Sequence, residues 1–402
     1  MVTASHNPAP DNGYKVYDAT GSQIVPPDDA EIAAGIDAAG PAASIPYDPA
    51  SPRIEPLGRE AVEEYLADVL GSVPVPAAAR DLKVVYTPLH GVGLGVLREL
   101  WERVGLRDPV VVVEQAEPDP DFPTAPFPNP EEPGVLDLAL DLARRRRADL
   151  VLANDPDADR LAVAVPDGRD WRVLTGDELG VLLGDHVLAT TAGDDRVVAR
   201  SVVSSSMLDR VAAAHGVPAR VTLPGFKWVS RAGDADGRRL VFGYEEALGY
   251  GVTPVVRDKD GLSAALGVVA LAAREHLTDA LARLTAAHGV HVSGQWSVRF
   301  ADADAAAAFV ANVRARPPRE LAGTPVSGVR DHRDGAAGLP PADLLALELA
   351  DGGQVLVRPS GTEPKVKCYF EVVRADGDER RARERLDALR RSFAAQFGAS
   401  GG

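Results

Sequence analysis

The feature that most constrains the fold of this chain is a regular alternation of apolar, β-rich runs with segments of helical periodicity. We expect strands at residues 83–86, 109–113, 149–153, 197–203 and 240–243. We expect helices at residues 94–104, 135–147, 177–188, 207–214 and 263–276. Strands that alternate with helices of this length favour βαβ units and mainly parallel sheets.

The C-terminal quarter of the chain follows a different pattern. Strands are expected at residues 355–357 and 366–373, and an arginine-rich amphipathic helix is expected near the end. This pattern indicates a separate α+β module. The length of 402 residues suits two to four domains of roughly 150 residues each. We place the domain boundaries near residues 58, 174 and 290.

Charge and cysteine content limit the partners of the chain. Lys and Arg total 43 against 59 Asp and Glu, and the net charge of −16 is the wrong sign for a nucleic-acid or anionic-membrane partner. The single cysteine, Cys368, excludes an internal disulfide framework. The longest apolar run, residues 262–273, is too short to span a bilayer, and the first residues lack the pattern of a secretion signal. The sequence therefore predicts a soluble, cytoplasmic protein that binds neither nucleic acid nor membrane.

The first loop whose residues could take part in catalysis lies near the N-terminus. Ser5 and His6 are surrounded by turn-forming residues, a pattern that fits an activated nucleophile but also an ordinary turn or helix cap.

Only six of the 43 basic residues are lysines, and five of them lie in or beside the loops described here, at positions 15, 227, 259, 365 and 367. Lysine is thus retained where compact charge or proton transfer would be needed.

The second loop directly follows an expected buried strand. It places carboxylates at alternate positions, Asp155, Asp157 and Asp159, which can converge on a hard cation such as Mg²⁺. An EF-hand calcium loop is excluded because its sixth position would be Arg160 and its twelfth Pro166. The alternative of a solvated acidic turn is weakened by the apolar runs on both sides.

Two further loops suit a sugar phosphate. Glu245 and Glu246 could bind sugar hydroxyls, and Lys259 just beyond could contact a phosphate or move a proton, although adjacent glutamates are equally common as solvating charge. Residues 358–365 combine Arg, Ser, Thr and Lys around a glycine, which favours phosphate binding over an ordinary hairpin turn. The glycine turn at residues 91–95 lacks the third glycine of a dinucleotide fingerprint, so no nicotinamide cofactor is expected.

Together the four loops resemble those of the α-D-phosphohexomutase superfamily, the phosphoglucomutases and phosphomannomutases, in the right order and over essentially the whole chain. The resemblance implies an α/β fold of consecutive mixed-sheet α/β domains plus a C-terminal α+β domain around a central cleft. The parts would be residues 1–57 with the active-serine loop, 58–174 with the metal loop, 175–290 with the sugar loop and 291–402 with the phosphate loop.

The resemblance also implies catalytic roles. Ser5 would be the phosphorylated residue, and Lys15 would match a general acid/base. His6 and Arg160 would surround the phosphoserine, and Lys259 would lie near the reacting sugar.

Two ligand sets follow from the same resemblance. Mg²⁺ would be held by Ser5, Asp155, Asp157 and Asp159, where it would neutralise charge on the transferring group. The substrate would be bound by Gly225, Lys227, Glu245, Glu246, Arg358, Ser360, Gly361, Thr362 and Lys365.

In that family a phosphoserine gives its phosphoryl group to a sugar monophosphate and takes back the other phosphoryl group of the resulting bisphosphate. We therefore expect an intramolecular phosphotransferase that interconverts hexose 1-phosphate and hexose 6-phosphate, with glucose as the sugar and glucose 1,6-bisphosphate as activator and intermediate. A phosphomannomutase or a phosphopentomutase is the alternative within the class. A noncatalytic remnant that binds phosphosugars is the alternative from another class.

The sequence departs from the family pattern at three places. Ala247 stands where many relatives have serine, and Pro224 stands where threonine is usual. The Glu-Glu-Ala-Leu-Gly form of the sugar loop looks closest to the phosphoglucomutase and phosphopentomutase subgroup. Family members have about a hundred residues ahead of the serine loop, a typical domain size, so we expect residues 1–57 to be a truncated first domain. The sequence gives no oligomeric state.

Overall fold

The computed structural model describes residues 1–360 and 364–398 of the chain. Residues 1–58 contain one α-helix, α1 (Asp28–Ala39), which buries no side chain. The β-structure of this segment consists of isolated bridges, Val2 with Tyr14 and Tyr17 with Gln23. The N-terminal segment is therefore joined to the remainder mainly by the polar contacts described below.

A five-stranded sheet follows the N-terminal segment. Its elements are α2 (Arg59–Ser72), β1 (Val84–Thr87), α3 (Gly93–Val104), β2 (Val110–Val111), α4 (Asp137–Arg146), β3 (Leu150–Asn154), β4 (Leu161–Asp167) and β5 (Asp170–Val173). The strand order is β2-β1-β3-β4-β5, with the first three strands parallel and the last two antiparallel. Every residue of β3 is buried, so this central strand fixes the position of the metal loop at its carboxyl end.

A four-stranded sheet comes next. Its elements are α5 (Gly176–Thr190), β6 (Arg196–Ser201), α6 (Met207–Ala214), β7 (Ala219–Thr222), α7 (Phe226–Val229), β8 (Arg239–Glu245), β9 (Gly249–Gly251), α8 (Gly261–Ala272) and α9 (Leu277–His288). The order is β7-β6-β8-β9, and only β9 is antiparallel. Helices α5 and α8 are almost wholly buried, and one continuous apolar core joins the two sheets.

The remaining described residues form an antiparallel sheet with its own core. The elements are β10 (Val290–Arg299), α10 (Ala303–Ala315), β11 (Glu320–Leu321), β12 (Thr324–Asp331), β13 (Leu345–Leu349), β14 (Gln354–Pro359), β15 (Lys365–Arg374) and α11 (Glu379–Phe397). The strand order is β10-β15-β14-β13-β12-β11. Helices α10 and α11 pack on one face, where Phe370 and Phe393 meet edge to face. The opposite face contacts Val203, in the turn after β6, through Tyr369.

These observations confirm the expected fold class of consecutive mixed-sheet α/β units followed by an α+β unit. The helix expected at 263–276 ends early, at Ala272, because the charged residues Arg274 and Glu275 cannot continue the almost wholly buried α8. The strand expected at 109–113 shortens to the edge strand β2. No helix in the described part of the chain is long and apolar enough to cross a membrane.

Candidate active site

The serine loop holds Ser5 in a constrained backbone conformation. Ser5 has a φ of 53°, in the left-handed region that costs a residue with a side chain about 1–2 kcal/mol. The Ser5 N–H donates to Thr3 Oγ1 at 2.9 Å, and the Thr3 N–H donates to the carbonyl of Gly13 at 3.1 Å. A Cβ at Gly13 would lie 2.0 Å from the Thr3 carbonyl oxygen, so glycine is required for this close approach.

The metal loop is tied across its base by one side chain. The Asn154 amide donates to the Arg160 carbonyl at 2.5 Å and accepts from the Tyr86 hydroxyl at 2.8 Å. A Cβ at Gly261 would lie 2.3 Å from the Asn154 amide nitrogen, so the start of α8 packs directly against this tie. The loop is thereby set between the sheet and α8.

The serine loop and the metal loop meet through side chains. The Ser5 hydroxyl donates to Asp155 Oδ2 at 2.7 Å, and the Thr3 hydroxyl donates to Asp157 Oδ2 at 2.9 Å. Residues separated by about 150 positions in the sequence are thus brought to hydrogen-bonding distance.

The aspartates fit a divalent cation. Asp155, Asp157 and Asp159 each offer a carboxylate oxygen within 4.8 Å of the others. The Oδ1 atoms of Asp157 and Asp159 are buried and have no hydrogen-bond partner among the described residues. Burial and the like charges of Asp159 and Asp157 raise the pKa of Asp155 to about 8. Unpartnered, buried carboxylate oxygens that repel one another are stabilised by a hard cation such as Mg²⁺.

Two lysines converge on one oxygen of this cluster. Lys15 Nζ and Lys259 Nζ each lie 2.7 Å from Asp159 Oδ2, and Lys15 lies 3.3 Å from Asp157 Oδ2. Burial raises the pKa of Asp159, but the two ammonium groups outweigh burial and hold that pKa at about 2. Burial opposes the charge of Lys15, yet Asp159 and Asp157 raise its pKa above the ordinary value.

His6 and Arg160 lie beside the serine. His6 Nδ1 is 3.1 Å from the Ser5 hydroxyl, and burial together with Arg160 lowers the pKa of His6 to about 3, which leaves the ring neutral at pH 7. The Arg160 N–H donates to Asp155 Oδ1 at 2.9 Å. Its guanidinium is 3.7 Å from the Glu131 carboxylate.

The sequence reasoning missed Glu131 and Phe127. Both lie in the proline-rich stretch at residues 117–133, where Phe127 contacts His6 with ring centroids 6.1 Å apart. Burial raises the pKa of Glu131, which Arg160 partly opposes. The available signal was the stretch itself, because a long segment without regular structure inside a compact unit is commonly functional.

The two glutamates of the sugar loop have different partners. The Glu245 carboxylate accepts a hydrogen bond from the Gly225 N–H at 2.6 Å. Lys227 follows in the same loop, and its ammonium lies 5.8 Å from the centroid of the Trp228 ring. Glu246 Oε2 instead lies 3.3 Å and 3.2 Å from the hydroxyls of Ser201 and Ser204. Adjacent residues at a strand end point to opposite sides, so only Glu245 lies with the Gly225 and Lys227 loop.

The phosphate loop is described in part. Arg358 pairs with Lys367 across β14 and β15, and the Ser360 N–H donates to the Lys365 carbonyl at 2.8 Å. The predicted ligands Gly361 and Thr362 lie outside the described residues.

A cavity of about 440 Å³ adjoins the sugar loop. Lys367, Glu131 and Glu246 are among its lining residues, so the C-terminal sheet, the proline-rich stretch and the sugar loop surround one space. Burial raises the pKa of Glu246 to about 7, and the charge of Glu245 contributes in the same direction.

Comparison with known proteins gives matches over most of the chain. Four phosphoglucomutase/phosphomannomutase domain families match in order: alpha/beta/alpha domain I at residues 1–42, domain II at 63–168, domain III at 175–288 and the C-terminal domain at 323–389. The "Probable phosphomannomutase" of Haemophilus influenzae is 42% identical over 92% of this chain and 76% of its own length. The phosphopentomutase of Homo sapiens is 35% identical over 94% of this chain and 68% of its own.

A solved structure shares the fold. A phosphoglucomutase/phosphomannomutase family protein from Burkholderia thailandensis matches 100% of this chain and 76% of its own, with a TM-score of 0.69 at 21% identity.

Proposed function

The chain belongs to the phosphoglucomutase/phosphomannomutase family, and we propose that it interconverts the 1- and 6-phosphates of a hexose, with glucose as the preferred sugar. The observation that carries this proposal is that the Ser5 hydroxyl and two lysine ammonium groups each contact an aspartate of the same cluster. A nucleophilic hydroxyl beside a cation site and proton-carrying groups is what phosphoryl transfer to and from a serine needs.

In the proposed reaction, phosphorylated Ser5 loses its phosphoryl group to a hydroxyl of the sugar monophosphate. The Ser5 oxygen then attacks the other phosphoryl group of the bisphosphate, so the serine is phosphorylated again and the isomeric monophosphate is released. Lys15 and Lys259, which both contact Asp159, would hold or move the proton that the attacking sugar hydroxyl loses and that the departing sugar oxygen regains. Arg160 and neutral His6 would contact the phosphoryl oxygens.

The aspartates and Ser5 would hold Mg²⁺, which would neutralise charge on the transferring group. Glu245, Gly225 and Lys227 would orient the sugar, with Glu246 behind the loop. The phosphate that does not transfer would be bound by Arg358, Ser360, Gly361, Thr362 and Lys365.

The choice of glucose rests on the form of the loops. The sugar loop at residues 245–249, together with the metal and phosphate loops, resembles the phosphoglucomutase and phosphopentomutase subgroup. Mannose and pentose phosphates are the second candidates, since the matched relatives include proteins named phosphomannomutase and phosphopentomutase. We also propose a cytoplasmic location, where the buried thiol of Cys368 would stay reduced.

The test begins with the whole chain, Mg²⁺ and glucose 1,6-bisphosphate. We expect intact-mass spectrometry to find one added phosphate, which peptide mapping places on Ser5 and which Ser5→Ala lacks. Turnover of glucose 1-phosphate, mannose 1-phosphate and ribose 1-phosphate is then compared by kcat/KM. Labelling without turnover of any of them would favour a phosphosugar-binding protein, and a higher kcat/KM for mannose or ribose would reassign the sugar.

A further inference from the structure

Two tyrosine–aspartate hydrogen bonds flank Lys259. The Tyr17 hydroxyl donates to Asp258 Oδ2 at 2.9 Å, and the Tyr65 hydroxyl donates to Asp260 Oδ2 at 2.9 Å. Both aspartates are adjacent to Lys259 in the chain, whereas the tyrosines come from the N-terminal segment and from α2. The backbone that carries Lys259 is therefore fixed from two separate parts of the molecule.

The two bonds are not equivalent. Asp260 caps α8, because its carboxylate also accepts from the N–H groups of Leu262 and Ser263 at 3.1 Å and 3.3 Å. Asp258 is only 8% exposed, and its Oδ1 accepts the N–H of Lys259 itself at 2.8 Å. The Tyr17 hydroxyl thus determines the orientation of a carboxylate that directly holds the Lys259 backbone.

Tyr17 is also two residues from Lys15. Since Lys15 and Lys259 both reach Asp159 Oδ2, the Tyr17–Asp258 bond closes a ring that contains both lysines and the aspartate between them. The bond is not needed to hold the segment in place, because Arg231 already binds Asp18 at 2.6 Å and the Gln23 carbonyl at 3.2 Å.

We propose that Tyr17 is a positioning residue that acts through Asp258 to set Lys15 and Lys259 against each other on Asp159. The proposal rests on the proposed function, since the two lysines matter as a pair only if phosphoryl transfer takes place between them. Removal of the hydroxyl leaves the sugar and phosphate loops intact but lets the lysine backbone shift, and small shifts at a reacting centre reduce turnover more than binding.

The experiment compares Tyr17→Phe with two tyrosine controls in the whole chain. Tyr17→Phe should lower kcat and the rate of Ser5 phosphorylation by glucose 1,6-bisphosphate about tenfold, with KM changed by less than about twofold. Tyr14→Phe, at a side chain that is 66% exposed in the same loop, should match the wild type. Tyr65→Phe should lower Tm while kcat stays within about twofold, because Asp260 keeps its backbone donors.

Asp258→Ala removes the same bond from the other side. It should reduce kcat, and Tyr17→Phe should have no further effect in that background, as expected for one coupled interaction. The coupling between the two substitutions in kcat can be measured even if either single variant is less stable.

An active wild type with an unchanged Tyr17→Phe variant overturns the positioning role alone. Equal kcat losses in Tyr17→Phe and Tyr65→Phe, or additive losses with Asp258→Ala, also overturn it because they indicate general loosening. An inactive and unlabelled wild type overturns the proposed function, and the positioning role with it.

Discussion

Ser204 lies outside the sugar loop and stabilises it through hydrogen bonds. Its hydroxyl accepts the Glu246 N–H at 3.0 Å and lies 3.2 Å from Glu246 Oε2. Neither Ser204 nor Ser201 belongs to a motif, so the sequence offered no signal for them.

We predict that Ser204→Ala raises KM for glucose 1-phosphate several-fold with little change in kcat. The reason is that the variant leaves a part-buried backbone N–H unpaired, at a cost of about 1–3 kcal/mol to the loop. Steady-state kinetics with glucose 1-phosphate would measure both KM and kcat. Ser201→Ala is the matched control, because it keeps the bond to the Glu246 N–H and should have a smaller effect. Equal effects of the two variants would contradict the prediction.

The aspartate cluster leads to a prediction about Mg²⁺. Addition of Mg²⁺ to the wild type should raise Tm relative to EDTA, because a ligand that binds only the folded state stabilises it by about 2.7 kcal/mol at a hundred times its Kd. Asp157→Asn should remove most of that rise, whereas Asp167→Asn, at an exposed position beyond the cluster, should retain it. Differential scanning fluorimetry distinguishes the outcomes, and an equal rise in all three proteins would contradict a cation site at Asp157.

At the scale of elements, the glycine turn before α3 supports the metal loop. A Cβ at Gly91 would lie 2.3 Å from Pro156 Cα and carbonyl oxygen, and the Val92 N–H donates to that same oxygen at 2.9 Å. Gly91 is therefore required for packing against the metal loop and not for binding a dinucleotide, which agrees with the absence of the dinucleotide fingerprint at residues 91–95.

Gly91→Ala should displace the metal loop, lower activity more than about tenfold and abolish the Mg²⁺-dependent rise in Tm. Gly95→Ala is the matched control, because a Cβ there meets nothing within 4 Å. It should stabilise the chain slightly, by about 0.5 kcal/mol, since alanine is the better helix former. Activity assays and thermal unfolding of the pair test this, and a fully active Gly91→Ala variant would contradict it.

At the scale of the whole molecule, a buried polar seam joins the second sheet to the C-terminal sheet. Asp177 accepts from the Ser205 N–H at 2.7 Å, the Tyr244 hydroxyl at 3.0 Å and the Ser293 hydroxyl of β10. Glu371 of β15 accepts from the Ser205 hydroxyl at 3.0 Å. The orientation of the two sheets therefore depends on buried carboxylates.

Asp177 should make stability depend on pH. Burial raises its pKa from 3.8 to about 6, although its hydroxyl and N–H donors oppose the shift. The folded state therefore binds the proton more tightly, so its contribution is complete below about pH 4 and is lost as pH rises to about 6, a change of roughly 3 kcal/mol.

Asp177→Asn mimics the protonated side chain and should be more stable than the wild type at pH 7.5, with a smaller difference at pH 5. Urea unfolding at both pH values measures the difference, in which the other carboxylates cancel because they titrate in both proteins. A difference that does not vary with pH would contradict the assigned pKa direction.

The fold class and the family follow from the amino-acid sequence, because periodicity, buried strands and the loops after them are local properties that a linear pattern records. It also indicated which loops carry the chemistry, and the structure brings Ser5, Lys15 and Lys259 to the aspartate cluster. The roles of these residues stay predictions until the variants are measured.

Which atoms meet depends on packing between distant parts of the chain. The contacts of Glu131 with Arg160 and of Tyr17 with Asp258, and the different partners of Glu245 and Glu246, depend on how separate elements pack. Tyr17 and Asp258 are 241 positions apart, and no local pattern links the two residues. The segment that carries Tyr17 is held against the sheets by polar contacts, so this bond is a property of the folded molecule and not of any one segment.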